Sequence, residues 1–192
     1  MAIYTVEELK KMGIKEVGED VYISKKASFY SPNKICIGNH VRIDDFCILS
    51  GKISIGNYIH IAAYSALYGG DAGIEILDYS NISSRVTIYG VSDDYSGMTM
   101  TNPMIPEEYK NVMSAHVKIE KHVIIGATSV VLPGCILKEG SAFGSFSFIN
   151  KSSDPWSVNA GIPVKKIKNR EKKLLTYVEK FEMSLEKNCE NI

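Results

Sequence analysis

The sequence predicts an all-β solenoid with a short N-terminal cap, one long loop and a C-terminal α-helix. Three observations predict it: aliphatic residues recur at every sixth position, small residues sit two places before them in the last block, and glycine often follows them. The anchors run Ile37, Ile43, Leu49, Ile55, Ile61 and Leu67. They resume after an insertion at Gly69-Gly70-Asp71 with Ile76, Ile82 and Ile88, and return as Ile119, Ile125, Val131, Leu137, Phe143 and Ile149. Val123, Ser129, Cys135, Ser141 and Ser147 form the mostly small set, and Gly38, Gly56, Gly126 and Gly144 follow their anchors. A helix needs a period of about 3.6 and a lone strand a period of about 2. A joint period of six therefore requires short strands broken by regular corners, with three units closing a triangular coil. Coils stacked in this way bury what one coil alone cannot.

Each element follows from where this repeat holds and where it breaks. Residues 1–22 carry no anchor but include Thr5-Val-Glu-Glu8, a capping-box pattern, with Gly13 placed to stop a short helix, so an N-terminal cap is expected. Residues 23–163 form the solenoid. The stretch 89–118 interrupts it with Asp, Gly, Asn and Pro and no anchor; long loops on rigid scaffolds carry function. Residues 164–192 place Ile167, Leu174, Leu175, Val178, Phe181 and Leu185 at helical spacing after a basic start, which predicts an amphipathic helix.

Composition bounds the function. The 192 residues carry 22 Lys+Arg and 22 Asp+Glu, a net charge of zero, whereas a nucleic-acid surface needs clustered, unbalanced cations. No run of 18 apolar residues exists and the start MAIYTVEELKK lacks the order of a signal peptide, so no membrane insertion and a cytoplasmic location are expected. Cys36, Cys47, Cys135 and Cys189 have no CxxC spacing, which points to reduced thiols, Cys47 and Cys135 as core fillers, and no metal.

Two constellations can carry chemistry. The loop reads Val91-Ser-Asp-Asp-Tyr-Ser-Gly97, then Thr101-Asn-Pro-Met-Ile-Pro-Glu-Glu-Tyr109. Asp93 and Asp94 beside Tyr95 can orient an amine, cap a turn or sit solvated. In the C-terminal block, small and turn residues along successive corners are followed by Lys165, Lys166, Lys168 and Arg170, features that suit a long thin ligand with phosphates at one end. Of the four histidines, His40 and His122 read as exposed corner residues. His60 points outward by alternation, and His116 ends the loop; either can serve as a base.

Val123-Ile-Ile-Gly-Ala127, Val131-Leu-Pro-Gly134, Pro155-Trp156 and Ala160-Gly161-Ile162-Pro163 resemble the signature run of hexapeptide-repeat acyltransferases of the galactoside and maltose acetyltransferase class. The resemblance implies a left-handed parallel β-helix, a hand that periodicity does not give, and a homotrimer with active sites between subunits. It implies acetyl-CoA or another acyl-CoA as co-substrate. By motif position Gly126, Ala127, Gly144, Lys151, Gly161, Pro163 and Lys165 are the expected coenzyme A contacts. Sugar O-acetyltransferases of this class place a histidine where Asp93 stands here, and a carboxylate is a poor base toward a hydroxyl. An amine needs no such base. The runs Ser92-Asp-Asp-Tyr-Ser-Gly97 and Thr101-Asn-Pro103, with Ile43-Asp-Asp-Phe46 and Ile61-Ala-Ala-Tyr-Ser65, resemble N-acyltransferases of nucleotide-linked amino sugars such as dTDP-4-amino-4,6-dideoxyhexoses, used in cell-surface polysaccharide synthesis. That resemblance implies Asp93 and Asp94 as the residues that position the amine, and Ser84, Tyr95, Asn102 and Glu108 as contacts to the nucleotide sugar; His60, outward by alternation, is the third catalytic candidate. The alternatives are an O-acetyltransferase using a histidine base, and a non-enzymatic scaffold. A γ-carbonic anhydrase is disfavoured because His60, His116 and His122 lack that family's paired spacing.

Overall fold

Every predicted anchor from Ile37 to Ile149 is buried, and so is every member of the small set. In the computed structural model, which describes residues 2–189 and their side chains through 186, this inward row closes a parallel β-solenoid of about seven coils. Face A stacks Tyr22–Ile23, Val41–Ile43, Ile59–Ile61, Asn81–Ile82, Ile124–Ile125, Ala142–Phe143 and Ser157–Ala160. Face B holds Ser28–Tyr30, the first halves of the long strands Ile48–Ile55 and Ala66–Ile76, then Thr87–Tyr89, Val130–Val131 and Phe148–Ile149. Face C holds Glu16–Val17, Ile35–Ile37, the second halves of those long strands, Val117–Ile119 and Ile136–Leu137. Register keeps anchor on anchor: Ile43 pairs with Ile61, Ile61 with Ile82 and Ile82 with Ile125.

The corners obey a second rule. Three places before an anchor the backbone takes the left-handed conformation: His40, Tyr58, Tyr79 and His122 do so at the C–A corner, and Phe46, Tyr64, Arg85, Thr128 and Phe146 at the A–B corner. Such a conformation costs a non-glycine residue on the order of 1 kcal/mol. Stacking side chains from successive coils offset that cost. His40 and Tyr58 stack at 4.4 Å, Tyr58 and Tyr79 at 5.3 Å, and Tyr79 and His122 at 5.1 Å. Gly140 holds the same corner position in the next coil, and there a Cβ would lie 2.4 Å from the Trp156 ring.

The C-terminal helix α2 (Leu174–Cys189) lies on this column. Phe181 meets the Tyr58 ring edge-on at 5.2 Å, and the Tyr79 hydroxyl donates to Glu182 at 2.8 Å. Burial first, and then the Glu182 carboxylate, push the Tyr79 phenol up to about 12. His122 is therefore buried in a stack rather than exposed as its corner position suggested, and burial lowers its pKa.

Both ends depart from the expected boundaries. The helix α1 (Val6–Lys11) closes the predicted capping box, with Thr5 and Glu8 each bonding the other's backbone N–H. The solenoid itself begins at Glu16–Val17, inside the expected 1–22 cap, because Val17 already pairs with Ile37. At the other end the chain does not enter a helix at 164. After the Gly161 turn (φ 105) Lys165–Asn169 pairs antiparallel with Ser157–Ala160. The last coil would otherwise leave its ladder groups unpaired, and a lysine-rich strand covers that edge without inviting further pairing. Residues 190–192 of the expected helix lie outside the described residues, as does the Cys189 side chain. No described helix is long and apolar enough to cross a membrane.

Shortening Ile61 to Ala removes a fully buried anchor between two coils. A loss of about 2–5 kcal/mol is expected in urea unfolding; Arg42→Ala, exposed on the same face and in a surface ion pair with Asp44, should cost under about 1 kcal/mol.

Candidate active site

The A–B corner gathers one half of the predicted site. The Ser84 carbonyl accepts from Thr128 N at 3.0 Å, and the Ala127 carbonyl accepts from Phe146 N at 2.9 Å, so Ser84, Ala127 and Ser145 occupy one corner position in successive coils. Gly126 lies against Gly144 in the same way, so tightly that a Cβ on Gly126 would come within 2.5 Å of Ser145 N. The expected sugar contact Ser84 and the expected coenzyme A contacts Gly126, Ala127 and Gly144 thus form one continuous edge. Beside it run exposed rings: Phe46 and Tyr64 stack at 4.9 Å, the Arg85 guanidinium lies 5.2 Å over Tyr64, and Phe146 is open to solvent.

The other half leaves from the B–C corner. Val91–Ser92 pairs antiparallel with Met113–Ser114, and Ala115 N donates to Gly90 O at 3.0 Å, which closes the loop's stem. Just past the stem, Asp94 Oδ1 accepts from Ser96 N and Oδ2 from Thr99 Oγ1, both at 2.8 Å. Hydrogen bonds from Ser96, side chain and backbone, and from Thr99 hold the Asp94 carboxyl down to about 2. Asp93 is exposed and, among the described residues, its carboxylate has no partner. One carboxylate is therefore fixed and ionised while its neighbour is free. The expected sugar contacts farther along the loop are open to solvent: Tyr95 is 94% exposed, Glu108 is exposed, and Asn102 accepts from Met104 N at 2.9 Å.

Face B, from Val86 to Gly90, separates the two halves within one chain. Five residues of extended chain span roughly 16 Å, so Ser84 and the loop's stem stand at opposite edges of that face. His60 belongs to neither the loop nor the Ser84 position: on face A its Nε2 is 2.9 Å from Oδ2 of Asp44, which shares the corner column of Gly126, and Arg42 Nε donates to Asp44 Oδ1 at 2.7 Å. Burial raises the Asp44 carboxyl, but the hydrogen bonds from His60 and Arg42 outweigh it and hold it low. His116 Nδ1 bonds the Ala72 carbonyl at 3.1 Å.

The predicted cationic end divides. Arg170 is not free for a phosphate, since its Nη1 donates to the carbonyls of His122 and Gly140, each at 2.9 Å. Lys166 pairs with Asp154 at 3.1 Å, while Lys165 and Lys168 remain exposed without a carboxylate partner among the described residues. Gly161 and Pro163 are exposed at the turn before this strand. Lys151 lies at the B–C side, in a small cavity of about 160 Å³ with Ser152, Ser153 and Asp154, so it does not share the A–B corner with Gly126. Among the described residues no three His, Cys, Asp or Glu side chains converge on one point.

A parallel solenoid with a tight glycine-lined corner, and a carboxylate loop on an adjacent edge, defines a hexapeptide-repeat acyltransferase. No protein-family model matches the chain. It is 51% identical over 187 residues to the dTDP-4-amino-4,6-dideoxy-D-glucose acyltransferase of Escherichia coli, covering 96% of this chain and 97% of that one. It superposes with a TM-score of 0.93, at 52% identity over 96% of this chain and 98% of the other, on AntD, an N-acyltransferase from Bacillus cereus in complex with dTDP and 3-hydroxybutyryl-CoA. A hexapeptide-repeat acetyltransferase from Vibrio cholerae shares the fold at 15% identity, with a TM-score of 0.58 and coverage of 89% and 84%. The chain belongs to the family of dTDP-amino-sugar acyltransferases.

Replacing Thr99 with Val removes one of the bonds that hold Asp94 low. Its carboxyl should titrate higher, toward 3.8, in a ¹³C NMR titration, and Thr99→Ser should restore the low value. Because the folded-state pKa is depressed, the stabilisation from Asp94 is present above its unfolded value and is lost as pH falls toward about 2. An unmoved titration in the Val variant would remove Thr99 from the account.

Proposed function

We propose that the protein transfers an acetyl or other short acyl group from acyl-CoA to the amino group of a dTDP-4-amino-4,6-dideoxyhexose, an intermediate of cell-surface polysaccharide synthesis. The observation that carries this reading is the ionised Asp94 and free Asp93 at the loop base, in a chain half identical to enzymes whose names and complexes carry dTDP-4-amino-4,6-dideoxyglucose. Several AntD structures carry substitutions at S84 or D94, and this chain has Ser84 and Asp94 at those numbers.

A neutral sugar amine attacks the thioester carbonyl carbon. The new C–N bond forms as the carbonyl π pair moves to oxygen, and nitrogen becomes cationic. Asp93 and Asp94 orient the amine and stabilise that charge; backbone N–H groups of the corner stabilise the oxyanion. Collapse re-forms the carbonyl and breaks the C–S bond, and the nitrogen's proton ends on the departing thiolate. A carboxylate suits this chemistry because it accepts a hydrogen bond and balances charge without having to remove a proton of high pKa.

Coenzyme A lies along Gly126, Ala127 and Gly144, with Gly161, Pro163 and Lys165 toward its phosphates, while Lys151, at the B–C side, falls outside this path. Because Ser84 and the loop stand at opposite edges of face B, the complete site pairs the A–B corner of one copy with the loop of the next, in a homotrimer. Exposed Tyr95, Met98 and Met104 on the loop, and Phe46, Tyr64 and Phe146 at the corner, suit such burial. The cytoplasm, which supplies both acyl-CoA and nucleotide sugars, is the matching compartment.

Thiol release tests the reading with a dTDP-4-amino sugar offered beside its 4-hydroxy counterpart. The amine should react faster, and Asp93→Asn with Asp94→Asn should lower kcat/KM at least about tenfold, the loss of one charged hydrogen bond. Faster reaction of the hydroxyl sugar would instead favour an O-acyltransferase, with the Asp44-held His60 as its base.

A further inference from the structure

An open groove of about 630 Å³ runs along face C and reaches His116, just past the stem of the long loop. That lies within the range of about 300–1,000 Å³ typical of small-molecule sites. We propose that this groove receives the diphosphate of the nucleotide sugar, with Lys52 as its principal cation; the proposal rests on the acyl-transfer reading above.

Backbone geometry makes the groove. At the B–C corner successive coils widen step by step, through Gly51 (φ 82), then Gly70 (φ 55) and Gly73 (φ 92), until the long loop leaves at Gly90. The Lys52 stem lies along Gly73, where an added Cβ would meet its Cγ at 3.3 Å and its Cδ at 3.2 Å. Glycine at that point leaves the stem room to lie flat on the groove wall.

Charge favours an anion. Lys15, Lys34, Lys52 and His116 line the groove against Asp71 and Glu75. Lys34 is held by Asp71 at 2.8 Å, and Glu75 is engaged by Lys118 at 3.0 Å from the side. Lys52 has no carboxylate within ion-pair distance among the described residues, and the nearest acid to Lys15 is Glu16, at 3.9 Å. Both carboxylates are thus neutralised while cationic charge is left over, which a diphosphate can bind.

Position links the groove to the reacting end. His116 follows the loop stem by two residues, and Val91 opposes Ser114 across it. Asp93 lies two residues beyond Val91. Two residues from His116 to Ser114, one strand spacing and two residues from Val91 to Asp93 make roughly 14 Å in a straight line, a span that a pyranose ring, its phosphate ester and the extended Lys52 side chain together can cover. An amine at Asp93 therefore sets its diphosphate over the groove.

Calorimetry with dTDP and with coenzyme A separates the possibilities. The wild-type protein should bind dTDP, Lys52→Glu should weaken it at least tenfold and Lys52→Gln by less, and both variants should keep coenzyme A affinity within about twofold, which also reports folding. If dTDP binds the wild type and Lys52→Glu equally, the groove proposal falls while the acyl-transfer reading stands. If the wild type binds coenzyme A but not dTDP, the nucleotide-sugar reading itself fails.

Discussion

The structure depends on one constraint: each face of each coil must turn one large aliphatic side chain inward while the backbone reverses within three residues at each corner. Ile43, Ile61, Ile82 and Ile125 satisfy the first requirement on one face. Left-handed residues three places earlier satisfy the second. Since the same position recurs at about 4.8 Å intervals along the solenoid, whatever stands at a corner becomes a column. One column of stacked rings seats α2. Another, of Ser84, Ala127 and Ser145 with Gly126 and Gly144 alongside, presents a narrow polar edge with backbone exposed.

Corners also explain where variation is tolerated. An insertion at a corner leaves the pairing on either side intact, so face C continues from Ile76 to Ile119 across the whole loop. The same B–C corner accommodates Gly51, the Gly69–Gly73 insertion and the loop in successive coils. On the proposed reading, chemistry is thereby divided, with coenzyme A at the A–B corner and the acceptor's amine and phosphates at the B–C corner. A zero net charge suits copies packing edge to edge, because a large like charge would oppose assembly.

The fold was legible because burial is written in side-chain type. Ile, Leu and Val at a fixed period, with Ser or Cys where space is short, encode the inward row directly. The left-handed corners were not legible, since His, Tyr, Phe, Arg and Thr all occupy them and the energetic reason is a stack with the coil above. His122 was misjudged for that reason: its partners Tyr79 and Trp156 are distant in sequence. Lys165–Asn169 read as the start of a helix because its apolar spacing continued that of α2, whereas the unpaired edge of the last coil decides its state. In the site, Asp93, Asp94 and the glycine corner were visible as residue types in an unusual place. Thr99 as the partner of Asp94, the diversion of Arg170 to two carbonyls, and the groove around Lys52 depend on geometry that no local pattern encodes.

The central claim is that an active site needs the Ser84 corner of one copy and the Asp94 loop of another. Mixed assemblies test it most directly. Subunits carrying Ser84→Trp and subunits carrying Asp93→Asn with Asp94→Asn should each be inactive alone. Co-assembled in equal amounts, they should recover activity at about one quarter of the sites, where an intact corner meets an intact loop. Mixtures as inactive as their components would mean that corner and loop act within one chain, and the account of the site would be wrong.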